Sequence, residues 1–257
     1  ALKANRITHS EPRGLDEGNI STFTASQVRE IKKILDEHGI GVSSVGSHFG
    51  KINIKDSFDA HFDSFKQCVE NAAILGTENI RMFSFYIDEN EDYDTYRDEV
   101  FERLEKMADY ARSGNIWCCH ENEKGIYGDM AVRCHELLTT FPELCGIFDP
   151  ANFIQCGQDT LEAWQLLKDR IKYLHIKDAL KNGKVVPAGA GIGAVKQILD
   201  EYRAMGGCAV TIEPHLSVFD GLKDLEKAGN RTQIDEYCYE SSDAAFDVAC
   251  NALKALL

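Results

Sequence analysis

A parallel α/β barrel is the fold class this sequence predicts, and three observations predict it. A short apolar run, a polar end and an amphipathic helix follow one another seven times along the chain. Strands alternating with helices pair in parallel through right-handed crossovers. The 257 residues suit one (β/α)₈ barrel, typically about 250 residues long, and no linker rich in Pro, Gly or Ser splits them. The expectation is one domain over residues 1–257. An open doubly wound sheet, which has no closure requirement, is the rival arrangement.

The elements follow in order. "ITHSEPR", Ile7 to Arg13, reads as the first strand. Thr24 and Gln27 then stand at capping-box spacing and open a helix with Val28, Ile31 and Leu35 on one face and Gly39 as its stop. "GIGVSSVGS" is the second strand, followed by a helix carrying Phe58, Phe62, Phe65, Val69 and Ala72 at helical spacing. "NIRMFSFY" precedes a helix around Val100 to Ala111, and "NIWCCHE" precedes one near Ala131 to Thr140. "LCGIFD" leads to a helix near Thr160 to Lys168, and "IKYLHIKD" to one near Val195 to Met205. "CAVTIEP" is the seventh strand, Leu216 to Tyr239 is polar and irregular, and a final helix from Ser242 turns Phe246, Ala249, Cys250 and Leu253 inward. Because a closed barrel needs eight units, and "ALKANR" looks like the tail of a helix, one β-α unit is expected to be missing at the front.

Composition narrows the function. A chain 44% hydrophobic and 27% charged can bury a real core. The formal net charge of -14 argues against a nucleic-acid partner, which would call for Lys/Arg clusters. No apolar run is long enough to cross a bilayer. Nine cysteines without a CxxC pair read as free thiols of a reducing compartment, and the expected location is cytoplasmic.

In parallel barrels the working residues sit at the carboxyl ends of the strands. The last four strands end in Glu121 ("HENE"), Asp149 ("FDPANF"), His175 ("LHIKD") and Glu213 ("IEPHL"). Taken singly, each has an ordinary explanation: a helix-entry charge, a turn before Pro150, a core histidine, a rim ion pair. Four on consecutive strand ends point to a metal site, because three carboxylates and an imidazole form an oxygen-rich set suited to Mn²⁺, Mg²⁺, Co²⁺ or Zn²⁺.

The motifs "HENEKGIYGD", "FDPANF", "HIKDA", "VPAGAG" and "EPHL", with "RMFSFY" and "VGSHFGKI" upstream, resemble the xylose isomerase-like TIM barrels. The resemblance spans nearly the whole chain and is to the sugar phosphate isomerase/epimerase group, which includes ketose 3-epimerases and inosose dehydratases. It implies that Glu121, Asp149, His175 and Glu213 hold a divalent metal. It also implies a small sugar or sugar phosphate substrate, and often pairing of subunits through rim helices. Related chains usually begin with a further strand and helix. Departures fall at His48, where many relatives have proline, at Ala190 and Ile192, where many are acidic, and at Asn152, where epimerases often have histidine; these imply a different substrate contact surface.

The chemistry implied is removal of a proton next to a carbonyl, through an enediolate. Glu121 and Glu213 are read as both ligands and the acid/base pair, one on each face of the planar intermediate. Asn152 and His215 are candidate substrate contacts at the rim. His48 and Lys51 are candidates for a sugar hydroxyl or phosphate, with surface exposure as the alternative. Asp178 either orients an imidazole or caps the following turn. Lys177 alternates away from His175 unless the strand has already ended, and His120 faces opposite to Glu121. The glycines of "PAGAGIG" read as close loop packing, since no P-loop signature follows. Dehydration by the same base, or sugar binding without catalysis, are alternatives on the same fold. Abasic-site DNA repair, known for a related zinc barrel, conflicts with the acidic balance and the few histidines.

Overall fold

The computed structural model describes residues 1–15, 18–216, 237, 239 and 241–257. Most of the irregular segment expected from Leu216 to Tyr239 lies outside them. Five parallel strands form the main sheet: β5 (Asn79–Met82), β6 (Trp117–Glu121), β7 (Leu144–Phe148), β8 (Ile171–Ile176) and β11 (Val210–Ile212), in spatial order β11-β8-β7-β6-β5. A parallel bridge from Ile80 to Val45 carries the wall on to β4 (Gly41–Val42), which pairs in parallel with β1 (His9–Ser10). Seven strands therefore curl around in chain order, as the sequence predicts. The first two are shorter than expected, because after Ser10 and Val42 the backbone turns from ladder pairing into loops.

Between the strands stand α1 (Ala25–Glu37), α2 (Phe58–Leu75), α3 (Arg97–Ser113), α4 (Ala131–Thr140), α6 (Thr160–Leu167) and α7 (Val195–Ala204), with α8 (Ser242–Leu256) last. The Thr24–Gln27 capping box is present, with backbone and side chain bonded in both directions. Three small elements escaped the sequence pattern. A hairpin joins β2 (Gly14–Leu15) to β3 (Gly18–Asn19), a second joins β9 (Asp178–Ala179) to β10 (Val185–Val186), and α5 (Pro150–Gln155) begins directly after β7. In α8 the inward residues are Ala245, Ala249, Cys250 and Leu253, while Phe246 lies against a cavity instead.

The outer face of the sheet and the helices share one large apolar cluster, which includes Phe65, Leu104, Cys118, Phe148 and Trp164. The inner face is filled by a smaller one of Cys119, Ile147 and Tyr173. Cys118 and Cys119 thus point to opposite sides, as alternation along a strand demands. Among the described residues β1 and β11 exchange no backbone hydrogen bonds; a cavity of about 610 Å³ separates them, lined by His9, Glu11, Val210 and Thr211. No helix is long and apolar enough to cross a membrane.

Candidate metal centre

Pleating explains how the site is built. Cys119, Ile147, Tyr173 and Thr211 point into the barrel, so the residues two positions on, Glu121, Asp149, His175 and Glu213, point the same way one layer higher. One ligand atom from each of these four lies within 4.8 Å of every other. Tetrahedral ligands at 2.0–2.2 Å from one zinc ion stand about 3.3–3.6 Å apart, so the four atoms would draw together by up to about an ångström around one. Glu121, Asp149 and His175 are no more than 1% exposed.

Two cations hold these carboxylates against their mutual repulsion. Arg81 Nη1 donates to Glu121 Oε2 at 3.2 Å and to Glu213 Oε1 at 2.9 Å. Lys177 Nζ lies 2.8 Å from Asp149 Oδ2 and 3.1 Å from Glu213 Oε2. β8 ends at Ile176, so the alternation that would have turned Lys177 outward stops one residue earlier, and its ammonium joins the site. His175 is held at both nitrogens: Nδ1 is 2.9 Å from Glu121 Oε1, and Nε2 is 3.2 Å from Glu11 Oε2.

Asp149 is placed by three local contacts. Its Oδ1 accepts from the Asn152 N–H at 2.9 Å and so caps α5, with Pro150 in the first turn. Asn122 bonds both the Asp149 N–H and carbonyl at 3.0 Å, tying the ends of β6 and β7 together. Asp149 Oδ2 is fully buried and, despite the nearby ammonium, has no aligned hydrogen-bond donor. A buried carboxylate oxygen paired with one ammonium and facing two other carboxylates and an imidazole belongs to a donor set that fits a divalent cation.

The titration pattern follows from the same contacts. Burial alone would raise Glu121, but His175 and Arg81 outweigh it and bring its pKa to about 2. Burial is likewise overcome at Glu213, held well below the usual carboxylate range by Lys177, His175, His215 and Arg81. Asp149 goes the other way: burial, with Glu121 and Glu213 nearby, outweighs Lys177 and lifts it to about 7. For His175 burial favours the neutral ring, yet Glu121, Glu11 and Glu213 raise it well above the ordinary histidine value.

The other sequence candidates separate into groups. Asn152 is buried beside the cluster; its amide donates to the Asn122 carbonyl at 2.8 Å and reaches Glu121 Oε1 at 3.5 Å. His215 is 3.9 Å from Glu213, and burial brings its pKa down to about 3. His48 stacks on Phe49, and Lys51 pairs with Glu123 at 2.7 Å over the Phe83 ring; neither is freely exposed. Asp178 accepts from the backbone N–H groups of Ala179, Gly189, Gly191 and Gly193 at 2.8–3.1 Å. Of the two roles read from its position, this is the turn-capping one. A Cβ on Gly191 would come 2.3 Å from the Ala179 carbonyl oxygen and from Asp178 Oδ1, so the glycine loop is shaped by close packing. His120 turns away and meets Ser84 Oγ at 2.9 Å.

Three residues of the site were missed. Glu11 accepts from Thr211 Oγ1 at 2.8 Å and from Tyr173 at 3.2 Å as well as meeting His175. It ends the first strand as the four candidate ligands end theirs, and that position was its signal. Arg81 had a signal too, a charge inside the apolar run "NIRMF". Arg13 stands 3.6 Å from Glu213 and had none.

Comparison with known proteins agrees with this architecture. No curated protein matches the sequence. The chain superposes on the probable 3-DHS dehydratase AsbF of Bacillus anthracis with a TM-score of 0.73 and 16% identity, over 99% of this chain and 90% of that one. It superposes on the IOLI protein with a binding zinc atom with a TM-score of 0.73 and 13% identity, over 99% and 90%. For the 3-keto-D-glucoside 4-epimerase YcjR of E. coli the values are 0.71 and 15%, over 99% and 90%. Residues 7–230 match the family model described as xylose isomerase-like TIM barrel, and the chain belongs to that family.

Proposed function

We propose that the protein is a divalent-metal-dependent isomerase or epimerase of a small sugar or sugar phosphate, working by proton abstraction next to a carbonyl. The observation that carries this reading is the convergence of Glu121, Asp149, His175 and Glu213 within 4.8 Å at the strand ends of a barrel. Those four would hold the ion, and a divalent cation supplies electrophilic stabilisation to the oxygens of a developing enediolate. The bound zinc of the IOLI structure and the epimerase chemistry of YcjR support it.

Glu121 and Glu213 are the acid/base pair. Their low pKa values leave both ionised at neutral pH. Arg81 bridges them and fixes their spacing. Asn152, His215, His48 and Lys51 supply contacts around the substrate. Lys177 favours a second reading, dehydration: its buried ammonium, 3.1 Å from Glu213, would hold a departing β-hydroxyl by a hydrogen bond.

The test is exchange in D₂O with Mn²⁺-loaded protein and a panel of ketoses, their phosphates and inososes. Deuterium should enter the carbon beside the carbonyl, and Glu213→Gln should lower that exchange by about 10²–10⁴-fold with an unchanged far-UV spectrum. Turnover without deuterium in the product, or an unimpaired Glu213→Gln, contradicts the assignment; appearance of an enone chromophore selects dehydration.

A further inference from the structure

The cations around the site differ in how fully they are used. Arg81 spends its nitrogens on Glu121, Glu213 and the Ser47 carbonyl. Lys177 is shared between Asp149 and Glu213, and Lys51 is closed onto Glu123. Arg13 is the exception. Its guanidinium makes no hydrogen bond among the described residues, and its nearest anion, Glu213 Oε1, is 3.6 Å away. Glu213 does not need it, being already bonded by Arg81 and Lys177.

Arg13 is placed for contact with a ligand. It stands three residues past the end of β1 and immediately before β2, its Cβ packs where a side chain at Gly46 would stand, and 20% of its side chain stays open to solvent. A guanidinium beside the candidate ligands, its planar fork of N–H donors unused among the described residues, is matched by an incoming anion.

We propose that Arg13 is the anion-binding subsite of this centre, so that the substrate carries a carboxylate or a phosphate in addition to its carbonyl and hydroxyl groups. The proposal rests on the functional reading above for what occupies the rest of the site. Arg13 binds and orients the substrate; it is not a catalytic residue.

Calorimetric titration tests it with three polyols on Mn²⁺-loaded and on chelator-treated protein: neutral D-glucitol, D-gluconate and D-glucitol 6-phosphate. At least one anionic polyol should bind about tenfold or more tightly than glucitol, the scale of a charge-assisted hydrogen bond. The stronger of the two anions identifies the substrate class. Arg13→Gln should erase the preference and Arg13→Lys should keep part of it, both with Mn²⁺ still bound. Anionic polyols that bind no better than glucitol, or not at all, overturn the proposal without recourse to a variant; so does a preference that survives Arg13→Gln. Failure to bind Mn²⁺ with the anion preference intact removes the metal reading and leaves the subsite standing.

Discussion

Asp149 carries the least settled charge of the centre. It is fully buried, one oxygen caps α5 and the other lacks an aligned donor. Its pKa near 7 therefore makes the metal-free fold bind a proton that the unfolded chain has released. A group raised on folding contributes stability that is full below its unfolded value and lost as pH rises through its folded value. For Asp149 that window runs from about 4 to about 7, and His175, also raised, adds loss above its ordinary value near 6.5. Glu121, lowered to about 2, loses stability only in acid, outside this range. Buried neutral histidines such as His215 and His120, lowered to about 3 and about 4, act in the opposite direction as pH rises toward 6.5, so the Asp149 contribution is read as a difference: the stability of chelator-treated protein relative to Asp149→Asn should fall between pH 5 and pH 8, on the order of a few kcal/mol. Saturating Mn²⁺ should flatten the slope, because a cation then takes the proton's place. A difference from Asp149→Asn that stays constant or rises over that range without metal would contradict the assignment.

At the scale of elements, β9, β10 and the glycine loop depend on one carboxylate. Asp178 satisfies four backbone N–H groups, and each buried donor left unpaired costs about 1–3 kcal/mol. Asp178→Ala should therefore loosen the loop from Ala179 to Gly193, seen as new tryptic cleavage after Lys181 or Lys184 at a protease dose the unaltered protein resists. A loop equally resistant in the variant would show that the amides find other partners. Much of this scale was legible in the sequence. Helix spans followed from apolar spacing and caps, and the start of α4 at Ala131 and of α8 at Ser242 agree with their signals. What was not legible has physical causes. α5 is only six residues long, too short for helical periodicity to show, and Asp149-Pro150 reads equally as a turn. Lys177 depended on where β8 stops, and strand ends are set by tertiary pairing more than by local sequence. Glu11 joins the site only because barrel curvature brings β1 near β8 and β11.

For the molecule as a whole, the barrel's function is convergence. Ninety-odd residues of chain separate Glu121 from Glu213, yet Arg81 Nη1 touches both. The wall is continuous from β1 through β11, and across the opening between those two edges the Thr211–Glu11 bond links side chains rather than backbone. Charge organises the interior: Arg81, Lys177 and Arg13 stand among Glu11, Glu121, Asp149 and Glu213, with His175 held toward its protonated form, and a divalent ion would take the place of that proton. The most direct test is titration of chelator-treated protein with Mn²⁺, reading free ion by electron paramagnetic resonance and stability by melting. One ion should bind per chain and raise stability by about 2.7 kcal/mol at a hundredfold excess over its dissociation constant, while His175→Ala and Asp149→Asn should each lose most of both effects. A chain that takes up no Mn²⁺, or takes it up equally well in both variants, would contradict the account.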